Sequence, residues 1–224
     1  MIAIAFSRAF SQLTDPAFRL VLLRGLAITL GLFIALFFGV DYLLGSLQLS
    51  DTGWLNTLVQ VLGNIVFVVV LLVLFPAVST AVMALFLEDV AAAVEKRYYP
   101  GDPPGHSAPF VPSLTMALRF LVIMVLLNLL VLLLTPFMLG INFFVYYLLN
   151  SYLLSREYFE LVSLRHLEPK AIETLRKANS GRLMLAGFGI AVLMTVPLLN
   201  LVAPLLATAV MVHMFKGLEA RPTT

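Results

Sequence analysis

Long runs without charged residues dominate the chain. Residues 25–40, 52–87, 120–155 and 183–215 contain no Asp, Glu, Lys or Arg, and they hold 16, 36, 36 and 33 residues. A helix needs about 20 apolar residues to span the roughly 30 Å of bilayer hydrocarbon. The first run therefore predicts one crossing, whereas each of the others is too long for one simple crossing. No alternation of apolar and polar residues indicates a strand.

Basic residues between the runs predict the topology. They occur before residue 25, in 88–113, in 156–182 and after 215, while the link 46–53 carries only Asp51. Lys and Arg favour the cytoplasmic side of a membrane. We therefore expect the 46–53 link outside and every other polar segment, with both termini, in the cytoplasm. The last two runs must then begin and end on the same side.

Prolines interrupt these last two runs near their middles, at Pro136 and between Pro197 and Pro204. Proline removes a backbone donor and breaks a helix. The flanking arms have about 14 residues each, or about 21 Å of helix, which is short of a full span. We predict two helical hairpins that enter from the cytoplasm and penetrate only partly. Full crossing, with tilt or bilayer thinning, is the alternative.

The predicted fold is an all-α integral membrane protein made of a single membrane domain. An amphipathic helix over 1–14, with Ile2, Phe6, Phe10 and Leu13 on one face, is expected on the inner membrane surface. A frayed, lipid-contacting start is the alternative. The other expected elements are long transmembrane helices over 17–45 and 54–99, hairpins over 116–154 and 183–217, and a cytoplasmic helical segment over 156–180.

Composition indicates lipid as the solvent and excludes several classes of function. The chain is 61% hydrophobic and 12% charged, against about 45–50% and 25% in soluble domains. A dispersed net charge of +2 offers no nucleic-acid surface. Without Cys, thiol and disulfide chemistry are absent. No phosphate-binding loop, nucleophile elbow or metal-ligand spacing is found, so we predict no enzyme activity, catalytic residue, metal or cofactor.

Cationic and dipolar groups remain as the candidate chemistry. Arg19 and Arg24 lie at the entry to the first crossing, just after a helix start at Pro16. A helix N-terminus with a nearby arginine binds anions, although such arginines also act as positive-inside anchors. Asn142 and Asn200 lie near the hairpin breaks, where interrupted transporter helices hold substrates. Simple packing turns are the alternative there.

A charged set closes the third run, formed by Arg156, Glu157 and Glu160. Arg156 and Glu160 are four residues apart and can pair on one helix face. At a membrane edge such a set would gate or line an inner vestibule of a pathway. A solvated helix start is the alternative interpretation.

Three segments together resemble one family. They are DPAFR at 15–19, AAAVEKRYYP at 91–100 and, as the most specific motif, PLLNLVAP at 197–204. Over roughly residues 5–217 the chain is similar to the CysZ-type sulfate permeases and the related etoposide-induced-protein-like family. The resemblance implies a multi-pass permease of the bacterial inner membrane that admits sulfate or a related oxyanion for sulfur assimilation. It also implies a homo-oligomer, from dimer up to hexamer.

The family's sulfate site is similar to a Gly-hydrophobic-Arg-Arg turn at the start of the first membrane helix. In this sequence the turn reads Ala17, Phe18, Arg19 and Leu20, so one arginine matches. The resemblance therefore implies a substrate site at Ala17, Phe18 and Arg19, with Arg24 as the candidate second cation. A non-transporting scaffold or lipid-organising membrane protein is the alternative function.

Overall fold

The computed structural model describes residues 1–46, 53–107, 109–137 and 140–220. The chain is 88% helical, and these described ranges contain no strand, which confirms the all-α membrane fold. The described helices that are long and apolar enough to cross a membrane are Pro16–Ser46, Gly53–Phe75, Val111–Phe137 and Leu199–Glu219.

The helices follow one another with short connections. Short 3-10 turns cover Gln12–Thr14 and Thr135–Phe137. The α-helices are α1 (Ile2–Ser11), α2 (Pro16–Ser46), α3 (Gly53–Ala84), α4 (Leu87–Tyr98), α5 (Phe110–Leu134), α6 (Asn142–Ser163), α7 (Pro169–Ala178), α8 (Ser180–Thr195) and α9 (Pro197–Glu219).

The long helix predicted over 54–99 is divided in the structure. A turn at Leu85 and Phe86 separates α3 from α4, with the Phe86 N–H donating to the Met83 carbonyl at 3.0 Å. The polar α4 then begins with two acidic residues in its first turn, Glu88 and Asp89. Acidic side chains stabilise a helix N-terminus through the helix dipole, so a new helix starts where the apolar run ends.

The two predicted hairpins have unequal arms. The first is α5 and α6, and Gly140 between them has φ +93°, a conformation that favours glycine. The second is α8 and α9, which meet at Val196 in extended conformation. Pro204 lies inside α9 and does not end it, as membrane helices tolerate. The arms are longer than the sequence indicated, and partial penetration stays a prediction.

By contacts, the chain divides into two compact units. The smaller unit, Leu20–Phe86, consists of most of α2 with α3. Phe33 and Phe75 meet edge to face in it, with ring centroids 5.7 Å apart. Asp41 Oδ1 accepts hydrogen bonds from Gln60 Nε2 at 3.0 Å and Asn64 Nδ2 at 2.6 Å. These contacts pair the two helices, while much of their apolar surface is exposed.

The larger unit joins Met1–Arg19 to the chain from Leu87 onward, and α9 forms its centre. α9 packs against α1, α4, α6 and α8, and nearly every side chain from Ala203 to Phe215 is buried. α8 approaches α6 very closely at Gly187, where a Cβ would lie only 2.1 Å from the Ser151 carbonyl oxygen. The close pairing of these helices therefore depends on that glycine.

α1 is anchored to the larger unit by small residues. Ala5 and Ala9 are its buried side chains, and Phe6 lies against Gly189 of α8. Ile4 and Phe10 are exposed. Ala5 and Ala9 lie on the same side of the helix as Ile2, Phe6 and Leu13 of the predicted stripe, so this face packs against the larger unit, and the alanines are its most buried members. Its location on the membrane surface stays a prediction.

Buried ion pairs fasten the polar end of the larger unit. Glu95 of α4 accepts hydrogen bonds from Arg165 Nη2 at 3.2 Å, His166 Nε2 at 2.9 Å and the Gly105 N–H at 3.3 Å. Burial raises the pKa of the Glu95 carboxyl, but the hydrogen bonds and charges of Arg165 and His166 together outweigh burial. The pKa of Glu95 therefore lies below its ordinary value of 4.5.

Glu95→Gln is expected to destabilise the protein at pH 7 by about 3–5 kcal/mol, because Arg165 stays buried without its carboxylate. Since the folded-state pKa is lowered, this stabilisation is present above the ordinary pKa and is lost as pH falls through the folded-state value. Melting temperatures in detergent from pH 7 to pH 3 should converge for wild type and variant at the acid end. Glu173→Gln, which removes two more exposed ion pairs, should lower the melting temperature much less. Equal melting temperatures for wild type and Glu95→Gln at pH 7 would contradict this role.

Single cysteines test the partial penetration of the hairpins, because the chain contains no other Cys. We expect Phe137→Cys and Leu201→Cys to resist a membrane-impermeant thiol reagent added from outside. For Leu201 the reason is that the 16-residue α8 extends only about 24 Å, less than the hydrocarbon thickness. The 25-residue α5 extends about 38 Å, so Phe137 resists the reagent only if that helix is tilted or begins in the cytoplasm. Trp54→Cys, at the predicted outer end of α3, is the labelled control. Ready labelling at Phe137 or Leu201 would establish full crossings.

Candidate functional site

The start of α2 is capped by an acidic residue. Asp15 has extended backbone (φ −72°, ψ 131°), and its carbonyl accepts the Arg19 N–H at 2.9 Å. Its side-chain Oδ1 accepts the Ala17 N–H at 3.4 Å. Asp is a favoured N-cap because its carboxylate satisfies free N–H groups and the positive end of the helix dipole. The helix start at Pro16 therefore lies where the sequence predicted it.

A second arginine reaches this helix start from α4. Arg97 Nη1 donates to Asp15 Oδ2 at 2.5 Å. The adjacent Tyr98 ring lies near two guanidinium groups, those of Arg8 and Arg97, each 5.8 Å from its centroid. The end of α4 thus meets the start of α2 at the Asp15 carboxylate, and α1 brings a further cation, Arg8, to the neighbouring Tyr98 ring.

The predicted substrate residues differ in exposure. Phe18 is buried, with 3% of its surface exposed, and fixes the first turn of α2. Ala17, Arg19 and Arg24 are exposed. Arg19 follows Asp15 by four residues and so lies on the same side of the helix. Arg24 is rotated by about 140° from Arg19 at 3.6 residues per turn, so the helix does not direct it to this site.

Arg8 and Arg97, which lie beside Tyr98 and Asp15, were not predicted from the sequence as residues of this site. Arg97 is 82 positions from Asp15 in the chain, and no periodicity connects the two. Arg97 lies in the segment AAAVEKRYYP, which the sequence singles out only through the family resemblance. The structure therefore places a second guanidinium group at Asp15, the N-cap of α2.

The charged set at the end of the third run forms a buried pair. Arg156 Nε donates to Glu160 Oε1 at 2.8 Å, as the four-residue spacing indicated. Arg176 of α7 joins them, with its Nε 3.6 Å from the same oxygen. Glu157 is exposed. Whether this set lines a pathway stays a prediction.

The hairpin asparagines occupy helix starts. Asn142 is exposed at the first residue of α6, and Asn200 is half-buried in the first turn of α9. The Asn200 N–H donates to the Val196 carbonyl at 2.8 Å, which closes that turn. Among the residues that the structure describes, no group of three or more His, Asp or Glu is arranged to hold a metal ion.

The fold defines a multi-pass helical membrane protein with cationic groups at helix ends. The family model described as Sulfate transporter CysZ/Etoposide-induced protein 2.4 matches residues 5–204, which is most of the chain. The protein belongs to this family, and the resemblance noted from its sequence motifs is confirmed. A comparison with curated proteins finds no match.

Proposed function

We propose that the protein is a permease for sulfate or a related oxyanion, located in the bacterial inner membrane with both termini in the cytoplasm. Membership of a sulfate transporter family supports this proposal. The observation that carries it is the exposed Arg19 at the start of a membrane-length helix, with Arg97 bound to Asp15, the residue one turn before Arg19. The anion would pass down its own gradient and supply sulfur assimilation.

The chemistry of the α2 start suits an oxyanion that binds and leaves quickly. Free N–H groups and the helix dipole attract a tetrahedral anion, and guanidinium forks match its oxygens. The capping bond from Ala17 to Asp15 is long at 3.4 Å and therefore weak. An incoming anion can replace the Asp15 carboxylate at both the helix end and Arg97. Conduction requires such weak, exchangeable binding.

A homo-oligomer is part of the proposal. The membrane-length window of α5 is 0% buried in the single chain. Asn128 lies exposed on this helix, and its amide nitrogen donates to the Met124 carbonyl at 2.8 Å within the helix. Its exposed amide oxygen would face hydrocarbon, where polar groups seek partners on neighbouring helices. A second copy of the chain offers such a partner.

Sulfate uptake into proteoliposomes tests the function. We expect saturable uptake of radiolabelled sulfate above protein-free vesicles. Arg19→Gln should lower the rate at subsaturating sulfate by about tenfold or more, because hydrogen bonds from a charged group are lost. Arg182→Gln, which changes an exposed arginine of α8, is the matched control and should transport normally. No uptake by folded, reconstituted protein would favour the scaffold or lipid-organising alternative.

Asp15→Asn tests the competition between the cap and the anion. Asn caps a helix about as well as Asp, while the negative charge beside Arg97 disappears. We therefore expect half-saturation at a severalfold lower sulfate concentration, without loss of thermal stability. Uptake should be measured at two ionic strengths, since the added attraction between exposed charges is screened by salt. If half-saturation instead requires a higher sulfate concentration in this variant, the Asp15 carboxylate serves to position Arg97.

A further inference from the structure

The buried cluster of Arg156, Glu160 and Arg176 holds unequal charge. The side chains of Arg156 and Glu160 are 4% and 9% exposed, and that of Arg176 is 14% exposed. Both guanidinium groups approach one oxygen, Glu160 Oε1, at 2.8 Å and 3.6 Å. Arginine stays protonated in proteins. The cluster therefore carries two positive charges against one negative charge.

The neighbouring acids do not balance the excess charge. Glu173, on the same helix as Arg176, pairs with Lys177 at 2.8 Å and with Arg119 at 3.4 Å. Glu157 is exposed, and no ion pair joins it to the cluster among the described residues. An uncompensated buried charge is strongly destabilising, even after the surrounding structure relaxes. A counter-ion supplied from outside the chain would remove this cost.

Two buried donors in this region lack hydrogen-bond partners. Arg176 Nε is buried, and its 3.6 Å separation from Glu160 is too long for a hydrogen bond. Ser163 is 0% exposed, and its Oγ has no partner. Ser163 follows Arg156 by seven residues and Glu160 by three, so all three lie on one face of α6. Buried polar groups without partners are rare in native proteins.

We propose that Arg156 and Arg176 bind a tetrahedral oxyanion at the junction of α6 and α7, with the Ser163 hydroxyl as a further donor. Glu160 holds the two guanidinium groups together and limits their net charge to +1. Paired guanidinium forks match oxyanion oxygens better than they match a spherical ion. The ligand is a free oxyanion or the phosphate of a lipid headgroup.

If the bound anion is a free oxyanion and not a lipid headgroup phosphate, the site has a role in transport. The basic segment 156–182 is expected in the cytoplasm, so this cluster would hold the anion after it has left the α2 start. The role as a cytoplasmic release station rests on the proposed function. The binding site itself is measurable without transport.

Ligand-dependent thermal stability of the purified protein in detergent is the test. Melting temperatures are titrated with sodium sulfate at constant ionic strength, because a ligand of the folded state raises stability with its concentration. Arg176→Gln should weaken the apparent sulfate Kd of this site by about tenfold or more. Lys177→Gln, the same change of charge on a neighbouring residue with 68% exposure, should leave it unchanged. An unchanged sulfate response in Arg176→Gln, or none in wild type, overturns a free-oxyanion site.

A second variant and a lipid titration complete the test. Glu160→Gln raises the buried excess charge to +2, so the protein should depend more strongly on the anion for stability. The same titrations with phosphatidylglycerol in mixed micelles identify the source, since a lipid response that Arg176→Gln abolishes assigns a headgroup phosphate. Absence of any Arg176-dependent response to both probes overturns the proposal.

The two anion sites are separable by variant. If Arg19→Gln removes the entire sulfate response and Arg176→Gln removes none, the inner site is excluded while the permease proposal is unaffected. If Arg176→Gln weakens binding but wild-type proteoliposomes take up no sulfate, the inner site stands and the proposed function fails.

Discussion

The cost of placing a charge in hydrocarbon determines where nearly every polar group of this protein lies. A charged side chain at the bilayer centre costs several kcal/mol or more, and this chain has only 26 Asp, Glu, Lys and Arg residues. Most of those that the structure describes lie near helix ends, in the connections, or in α4, α7 and the second half of α6. The membrane-length helices can therefore expose apolar surface freely, and chemistry is confined to their ends.

Buried charges in the larger unit fall into two kinds. Around Glu95 each charge has a partner, and the carboxylate joins α4 to the turn after α6 through Arg165 and His166. Lys216 at the end of α9 is likewise buried and lies 3.1 Å from Asp102. These paired groups fasten elements together. The Arg156 cluster differs because its charges do not cancel, and unbalanced buried charge is better suited to binding an ion than to holding helices.

Much of the fold follows from sequence, because charge-free runs indicate the helices that contact lipid and basic connections indicate the cytoplasmic side. The α2 start was predictable from Asp15 and Pro16, and the Arg156–Glu160 pair from its spacing of four. Contacts between segments that are distant in the chain were not predictable. Nothing in the sequence links Arg97 to Asp15, Arg176 to Glu160, or Gly187 to Ser151, since such pairs arise only when helices pack. The turn at Leu85 was hidden within an apolar run that contains no nearby breaker.

In the proposed permease, cationic helix ends admit an oxyanion without an energy source of their own. The most direct measurement is sulfate entry into proteoliposomes in which a potassium gradient and valinomycin set the membrane potential and no proton or sodium gradient exists. Passive passage of a dianion predicts that an inside-positive potential accelerates entry and an inside-negative potential slows it. Entry that does not respond to the potential and appears only with an imposed proton or sodium gradient would show that transport is coupled to that ion and is not passive.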